Sequence, residues 1–500
     1  MSGIDLAHHV NENFPDWNWA IVDSNTKVGG TCVTFQYPGI RSDSDMATFS
    51  FPFKRWPHKG SLGSGADIQR YVEDVAREEG VLERLSLSTL AERANFHSDL
   101  GLWEVTMRTR EDGEAIPEGN ADAPTTERTI WTKRLHFSSG YYKHHRGFTA
   151  DIPGIHQFEG ELIHPQRWPE DLDVRGKKVV IIGSGATAIT LLPALHDLAA
   201  DVTMLQRTPT YVAPLPNREN FTAVTTKIMP EKQALSAARA MHIVRDMAQY
   251  WMCQLFPWPA RGYFMALNRW YIPFSEIFKN FNPPYGPWDQ RVCKSPDGDF
   301  FKAMQGGARV VTARISSVQP QSISLIDAPS LPADIIITAT GLDIQVFGGV
   351  RMFVDGSEKT VPKTVAYRGM MVDGLPNFSF TVGYLNQSWT LRADLVSRYM
   401  CRLCKLMEDD GYTTATPCFP ADIPLMNRYS GYLVRPERTC PPRQVWTRQC
   451  SPRITFAGTG HEAGPPRHGS AHRHRVQLSI GCTRRRMAVV TAPGASSGGM

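Results

Sequence analysis

The chain lacks any uninterrupted apolar run near the roughly 20 residues a membrane-spanning helix needs. It opens with nothing resembling a signal peptide. Its nine cysteines are an odd number scattered over 500 residues. That argues against a disulfide framework and for a reducing, cytoplasmic setting. No second CxxC accompanies Cys401-Arg402-Leu403-Cys404, so helix packing is expected there rather than zinc ligation. The chain also lacks a strong charge of one sign. Its net charge is +5, with much of the arginine near the C-terminus, and no nucleic-acid footprint is read from it. No repeat of solenoid period is present.

What is present suits a globular protein of two or three domains: 42% hydrophobic and 21% charged residues over a length too great for one core. Strand-like runs such as Val179–Ile182 and Val202–Leu205 alternate with helical patterns such as Ile68–Glu79 and Ile189–Leu198. The alternation predicts α/β domains with parallel sheets. Residues 215–290 read as mostly helical and rich in Trp, Tyr, Phe and Pro. Within them Ile243–Trp270 is amphipathic, which suits a buried helical subdomain or substrate channel, with peripheral membrane contact as the alternative.

The clearest motif is Gly183-Ser184-Gly185-Ala186-Thr187-Ala188, between the strand KKVVII and the helix AITLLPAL. In that strand–turn–helix context, glycines allow a tight turn and let backbone approach a pyrophosphate at the helix N-terminus. The next strand ends in Gln206-Arg207. An arginine where NAD sites carry an acid suits the 2′-phosphate of NADPH.

A second nucleotide site shows only its later parts. Asp23 ends a strand and is placed for a ribose, and Gly29-Gly30-Thr31 follows near a pyrophosphate or flavin. Met1-Ser2-Gly3-Ile4 reads as the last part of a glycine motif entering its helix, with the first strand missing. The expectation is an N-terminally truncated unit with exposed sheet edges.

Phe158, Gly160, His164, Trp168 and Pro169 in FEGELIHPQRWP match every fixed position of FxGxxxHxxxW[P/D]. With YPGIRSDSD, GSGATA, TMLQRTPTY, PWDQRVC, ADIIITATGL and TVGYLNQSWTLRADLVS, the chain resembles type I Baeyer–Villiger monooxygenases, relatives of the flavin-containing monooxygenases. The branch it most resembles activates ethionamide. The resemblance runs to about Arg435 and implies two Rossmann-like domains, for FAD and NADP. Residues 1–143 and 333–435 would form the FAD domain, 144–332 the NADP domain with the helical insertion 215–290, and 436–500 a disordered basic tail. A shifted reading frame would also produce that tail.

The resemblance further implies FAD and NADPH as cofactors, O2 as co-substrate and a small hydrophobic ketone or sulfur compound as substrate. One oxygen atom would be inserted beside a ketone carbonyl, or added to sulfur, through a C4a-peroxyflavin. Arg291 would stabilise the anionic peroxide and the Criegee intermediate, with Asp43 orienting it. Asp45 is expected to be structural. Ser2, Gly3, Asp23, Gly30, Thr31, Cys32, Val33, Asp43 and Ala91 would contact FAD, and Arg41 the nicotinamide nucleotide. His164 would sit in a hinge between the domains, and Ser138-Ser139-Gly140 and Ala339-Thr340-Gly341 would be the two crossings. Cys32 replaces the family's usual Trp, and Gln36 its Arg. The alternatives are an N- or S-oxygenating flavin monooxygenase, or a non-catalytic NADPH-binding remnant.

Overall fold

The computed structural model describes residues 1–116, 125–198, 201–218, 220–290, 292–360, 365–384, 387–419, 443–444 and 453–458. The N-terminal unit opens with α1 (Ser2–Asn13), followed by β1 (Ile21–Val22), α2 (Gly65–Glu78) and β2 (Leu85–Ser86). Ser64 caps α2 by accepting from Asp67 N at 3.1 Å. Ile68, Val72 and Val75 place one stripe of α2 against Ile4 and Ala7 of α1. β3 (Thr89–His97), β4 (Leu102–Arg110) and β5 (Thr125–Thr132) form an antiparallel meander. β6 (Leu135–Phe137) then leads to the first crossing.

The second unit is a five-stranded sheet. Its strands are β7 (Glu161–Ile163), β8 (Lys178–Ile182), β9 (Asp201–Gln206), β10 (Arg309–Thr312) and β11 (Ile335–Thr338). They lie in the order β10-β9-β8-β11-β7, every neighbouring pair parallel. α3 (Ala186–Asp197) joins β8 to β9 and buries Ala188, Leu191, Leu192 and Leu195 against Val179, Ile181 and Met204. Both faces of the central strands are covered, which is why VVII and IIIT read as continuous apolar runs. Burying each such branched side chain is worth roughly 1.5–3 kcal/mol. The strand order reverses between β8 and β11, and Gly183 sits at that switch point, where ligands of open α/β sheets bind.

The expected boundary at residue 332 falls one strand early, because β11 lies between β8 and β7 inside this sheet. The chain leaves it only at Ala339-Thr340-Gly341. There Leu342–Ile344 pairs antiparallel with Tyr142–Gly147, so the outward and return crossings run side by side.

The insertion is helical as expected: α4 (Glu231–Leu255), α5 (Pro257–Arg269) and α6 (Phe274–Asn280). It is not the buried subdomain expected for Ile243–Trp270, since Trp251, Leu255, Trp258, Tyr263 and Trp270 are exposed. Returning to the first unit, β12 (Arg351–Val354) adds parallel to β3, and β13 (Phe378–Phe380) adds parallel to β6. α7 (Trp389–Asp409) packs on α1. Cys401 and Cys404 are buried beside Phe14, and burial pushes the Cys401 thiol up to about 12, as inert packing cysteines require. The expected disordered tail is corrected in part: Arg453–Gly458 pairs antiparallel with Tyr412–Cys418, and Arg443–Gln444 parallel with Val365–Tyr367. The remainder of residues 436–500 lies outside the described residues.

Candidate active site

A cavity of about 1770 Å³ lies between the two units. It exceeds the roughly 300–1,000 Å³ of a site for one small molecule. Its walls include Ser2, Gly3, Asp23, Gly30, Arg41 and Asp43 from the first unit. Ala186 and Thr187 at the start of α3 and both strands of the β1–β2 pair and of the β6–β13 pair also contribute. Thr31, Cys32, Val33 and Ala91 line it too.

The N-terminus of α1 faces this cavity, with its partial positive charge and unpaired amides. Ser2 is held there by Trp389, whose Nε1 donates to Ser2 Oγ at 2.8 Å. A Cβ built on Gly3 would meet Ile21 Cδ1 and Ser138 Cβ at 3.7 Å, ordinary contact, so the helix entry is closely seated without a clash. Asp23 follows directly on β1 and accepts from Asn25 N at 2.9 Å, which leaves carboxylate capacity for a ribose hydroxyl. Gly30 has φ 57° and nothing within 4 Å of a built Cβ. It opens the short helix Thr31–Thr34, a second N-terminus on the same cavity. Burial pushes the Cys32 thiol up to about 11, so it is a neutral wall residue. Ala91 lies on β3 at a register shift of the β3–β4 pair, where backbone is turned out of the ladder.

On the other side, Gly183 has φ 139°, and a Cβ there would strike Ala339 O at 2.3 Å. Only glycine fits this turn. Gly185, by contrast, has nothing within 4 Å and leaves the N-terminus of α3 bare. The Gly183 N–H is satisfied by Leu205 O at 2.9 Å, and Ser184 Oγ donates to Thr208 O at 3.0 Å, so the loop is fixed before a ligand arrives. Ala188 is fully buried beneath it. These features fit a pyrophosphate at α3, and those of the first unit fit a second dinucleotide at α1.

The structure separates the two neighbouring residues expected at the NADP nucleotide. Arg207 is exposed at the end of β9. Gln206 is turned into the core, where Nε2 donates to Asn280 O at 2.7 Å and Thr312 Oγ1 at 2.9 Å. Side chains alternate along a strand, so neighbours at its end cannot both face one ligand.

The YPGIRSDSD loop joins the units. Gly39 sits against α3, a Cβ there reaching Ala194 Cβ at 2.8 Å. The Tyr37 phenol hydrogen-bonds Thr187, and burial, aided by the Asp43 charge, pushes it up to about 12. Arg41 Nη1 donates to Asp299 Oδ2 at 2.6 Å, so the arginine expected at the nicotinamide nucleotide also clamps the loop to the second unit. Asp45 is structural as expected: Oδ1 accepts from Ala47 N at 2.9 Å, and Oδ2 lies 3.2 Å from His242 Nδ1 of α4. Arg291 lies outside the described residues, and with it the expected pairing to Asp43.

The segment FEGELIHPQRWP is built into the second sheet. β7 is its edge strand, and a Cβ on Gly160 would lie 2.3 Å from Asp334 O on the run into β11. Phe158 packs under this edge and Trp168 against the α3 core. His164 Nδ1 accepts from Gln166 N–H at 3.2 Å, so Nε2 carries the proton and donates to Gly341 O at 3.3 Å. Burial lowers the His164 pKa and keeps that tautomer neutral. The ring lies over Gly147, where a Cβ would overlap it at 2.0 Å. One histidine thus touches both crossings.

Sequence reasoning did not single out Tyr37, Trp389 or His136. The first two stand inside motifs already quoted, YPG and SWTLRAD. His136 bonds Ser379 Oγ at 2.7 Å and Thr381 Oγ1 at 3.0 Å between β6 and β13, and no local pattern announces such a pairing.

The description Flavin-binding monooxygenase-like matches residues 41–222. The chain is 39% identical to the FAD-containing monooxygenase EthA of Mycolicibacterium smegmatis over 442 residues, 87% of each chain. Among solved structures, open cyclohexanone monooxygenase superposes with a TM-score of 0.65 at 18% identity, covering 83% of this chain and 88% of that one. OTEMO in complex with FAD and NADP superposes with a TM-score of 0.64 at 21% identity, covering 83% and 84%. These structures share the fold of two dinucleotide-binding domains, and the sites at α1 and α3 fit its two nucleotides. The chain therefore belongs to the flavin-binding monooxygenase-like family: it is a flavin-dependent monooxygenase, an oxidoreductase that uses FAD and NADP.

Proposed function

We propose that this enzyme places one atom of O2 beside the carbonyl of a small hydrophobic ketone, or on sulfur, with NADPH as reductant. The observation that carries this reading is the build of FEGELIHPQRWP: neutral His164 reaches Gly341 on the return crossing while its ring covers Gly147 on the outward one. A hinge with one switchable hydrogen bond suits an enzyme that must alternate between reduction by a nucleotide and oxygenation of a substrate. FAD supplies the activation of oxygen when bound.

The protein's own residues bind, orient and exclude water. The N-termini of α1 and of Thr31–Thr34 face one pyrophosphate, Asp23 takes a ribose, and α3 with Arg207 takes the other nucleotide. Arg41 on Asp299 and Tyr37 on Thr187 hold the loop that carries Asp43. Arg291, oriented by Asp43, supplies fixed positive charge where negative charge grows on oxygen. Asp43, Cys32, Val33 and Ala91 are assigned to the flavin side of the cavity.

The N- or S-oxygenating alternative needs no such arginine. Arg291→Ala therefore separates the readings: reduction of FAD by NADPH is expected to persist while ketone oxygenation falls by about 10²-fold or more. Ester formation at the normal rate removes Arg291 from this role. A parent enzyme that oxidises a thioether but forms no ester from any cyclic ketone favours the alternative. A purified protein that binds NADPH tightly but carries no flavin absorption band supports the remnant reading.

A further inference from the structure

The helical insertion is apolar on its outside. On α4, Val244, Met247, Trp251 and Leu255 recur at helical spacing and are 65%, 38%, 54% and 65% exposed. The opposite stripe of the same helix buries Ala234, Ala238, His242 and Cys253. The next two helices repeat the inversion. α5 buries Phe264 and Asn268, while Trp258 at its start is 78% exposed and Trp270 just past its end is 87% exposed. α6 buries Ile277 and Asn280 and exposes Phe274 and Phe278. α4 packs on α5 and α5 on α6, so the exposed stripes are carried by three adjoining helices. A water-facing surface normally scatters such side chains singly, and a continuous face of them marks a docking surface.

We infer that this face docks on the surface of a lipid bilayer that carries anionic headgroups. Three observations favour that occupant. First, the residues are of interfacial type: Trp251, Trp258, Tyr263 and Trp270 each combine an apolar ring with a polar edge, the chemistry that settles at headgroup depth. Second, between Asp246 and Glu276 the chain carries Arg261 and Arg269 and no acidic side chain. Exposed Lys279 follows Phe278 on α6, and the Arg269 guanidinium lies 5.3 Å from the Phe274 ring. Third, among the described residues no helix is long and apolar enough to cross a membrane, so the face lies on the bilayer rather than in it. A second copy of this chain fits less well, because a two-fold interface would set these cations against their own counterparts.

The docking helix is coupled to the catalytic body. Arg239 Nη1 donates to Ser50 O at 2.9 Å, and His242 meets Asp45, which caps the turn following Asp43. A hydrophobic substrate dissolved in the bilayer would thus be met by the same element that abuts the site.

The test is flotation of the FAD-loaded full chain with vesicles of phosphatidylcholine alone or with about one-third phosphatidylglycerol. The protein is expected to float with the anionic vesicles, less with the neutral ones, and to be released by salt in part. The triple variant Leu255→Ser, Trp258→Ser, Trp270→Ser should lose at least about tenfold of vesicle-bound protein at unchanged flavin content and NADPH oxidation. Lipids brominated near the headgroup should quench the tryptophan emission of the parent protein, a reading that needs no variant. Parent protein left at the bottom with both vesicles overturns the proposal, as does equal flotation of the triple variant. A dimer that the triple substitution dissolves, with no flotation of the parent, assigns the face to a second copy instead.

Discussion

Replacing Gly160 by alanine tests whether the FEGELIHPQRWP segment works through its build. A Cβ there would lie 2.3 Å from Asp334 O, a backbone atom that cannot swing aside, and 2.7 Å from Phe158 Cζ, which can. Carbon and oxygen approach no closer than about 3.3 Å without repulsion, so β7 must retreat from β11 by roughly 1 Å. That movement breaks the bond from Glu161 N to Asp334 O, 3.1 Å long in the native edge. Overpacking of this kind costs about 1–3 kcal/mol, and the lost hydrogen bond adds about 1 kcal/mol. A total near 2–4 kcal/mol corresponds to a melting temperature lower by about 5–15 °C. The strand also carries His164, and a displacement of that size separates Nε2 from Gly341 O, now 3.3 Å apart. The variant is therefore expected to melt early and to form less oxygenated product per NADPH consumed. Thermal unfolding followed by flavin release, together with the product-to-NADPH ratio, measures both effects. A variant that melts within 2 °C of the parent with an unchanged ratio refutes the steric reasoning.

Gly185→Ala, where a Cβ meets nothing within 4 Å, should melt like the parent yet raise KM for NADPH by about tenfold, since the methyl occupies the approach of the pyrophosphate. Steady-state kinetics at saturating O2 check it. Trp389→Phe keeps an aromatic ring, smaller than indole, and removes the donor to Ser2 Oγ. Loss of about 1 kcal/mol there should weaken FAD retention by roughly fivefold, read by the rise of free-flavin fluorescence on dilution. Burial lowers the His136 pKa from 6.5 to about 4. The unfolded chain thus takes up this proton first, so the stability is present above pH 6.5 and is lost as pH falls through about 4. On acidification the parent should lose more of its unfolding midpoint than His136→Gln. His136 lines the cavity, where water trims the shift, so the contrast should be larger in FAD-loaded protein.

The local chemistry of the sites was legible in sequence because it is local. GSGATA between an apolar strand and an apolar helix fixes its own turn, since Gly183 must adopt φ 139° wherever the chain goes next. FEGELIHPQRWP declared its rigidity through Pro165 and Pro169, and the apolar runs around residues 180 and 336 declared a sheet covered on both faces. Long-range pairing decided the rest. No pattern near residue 335 says that β11 inserts between β8 and β7, because order in a parallel sheet is set by crossovers far apart in the chain. That Gln206 faces the core while Arg207 faces outward depends on the partners Asn280 and Thr312 supply from other elements. The insertion shows the difference most plainly. Its composition and amphipathic spacing announced helices with apolar stripes. Which stripe met protein was decided in the tertiary structure, where small and polar Ala238, His242 and Asn268 allow close helix packing and the tryptophans are left outside.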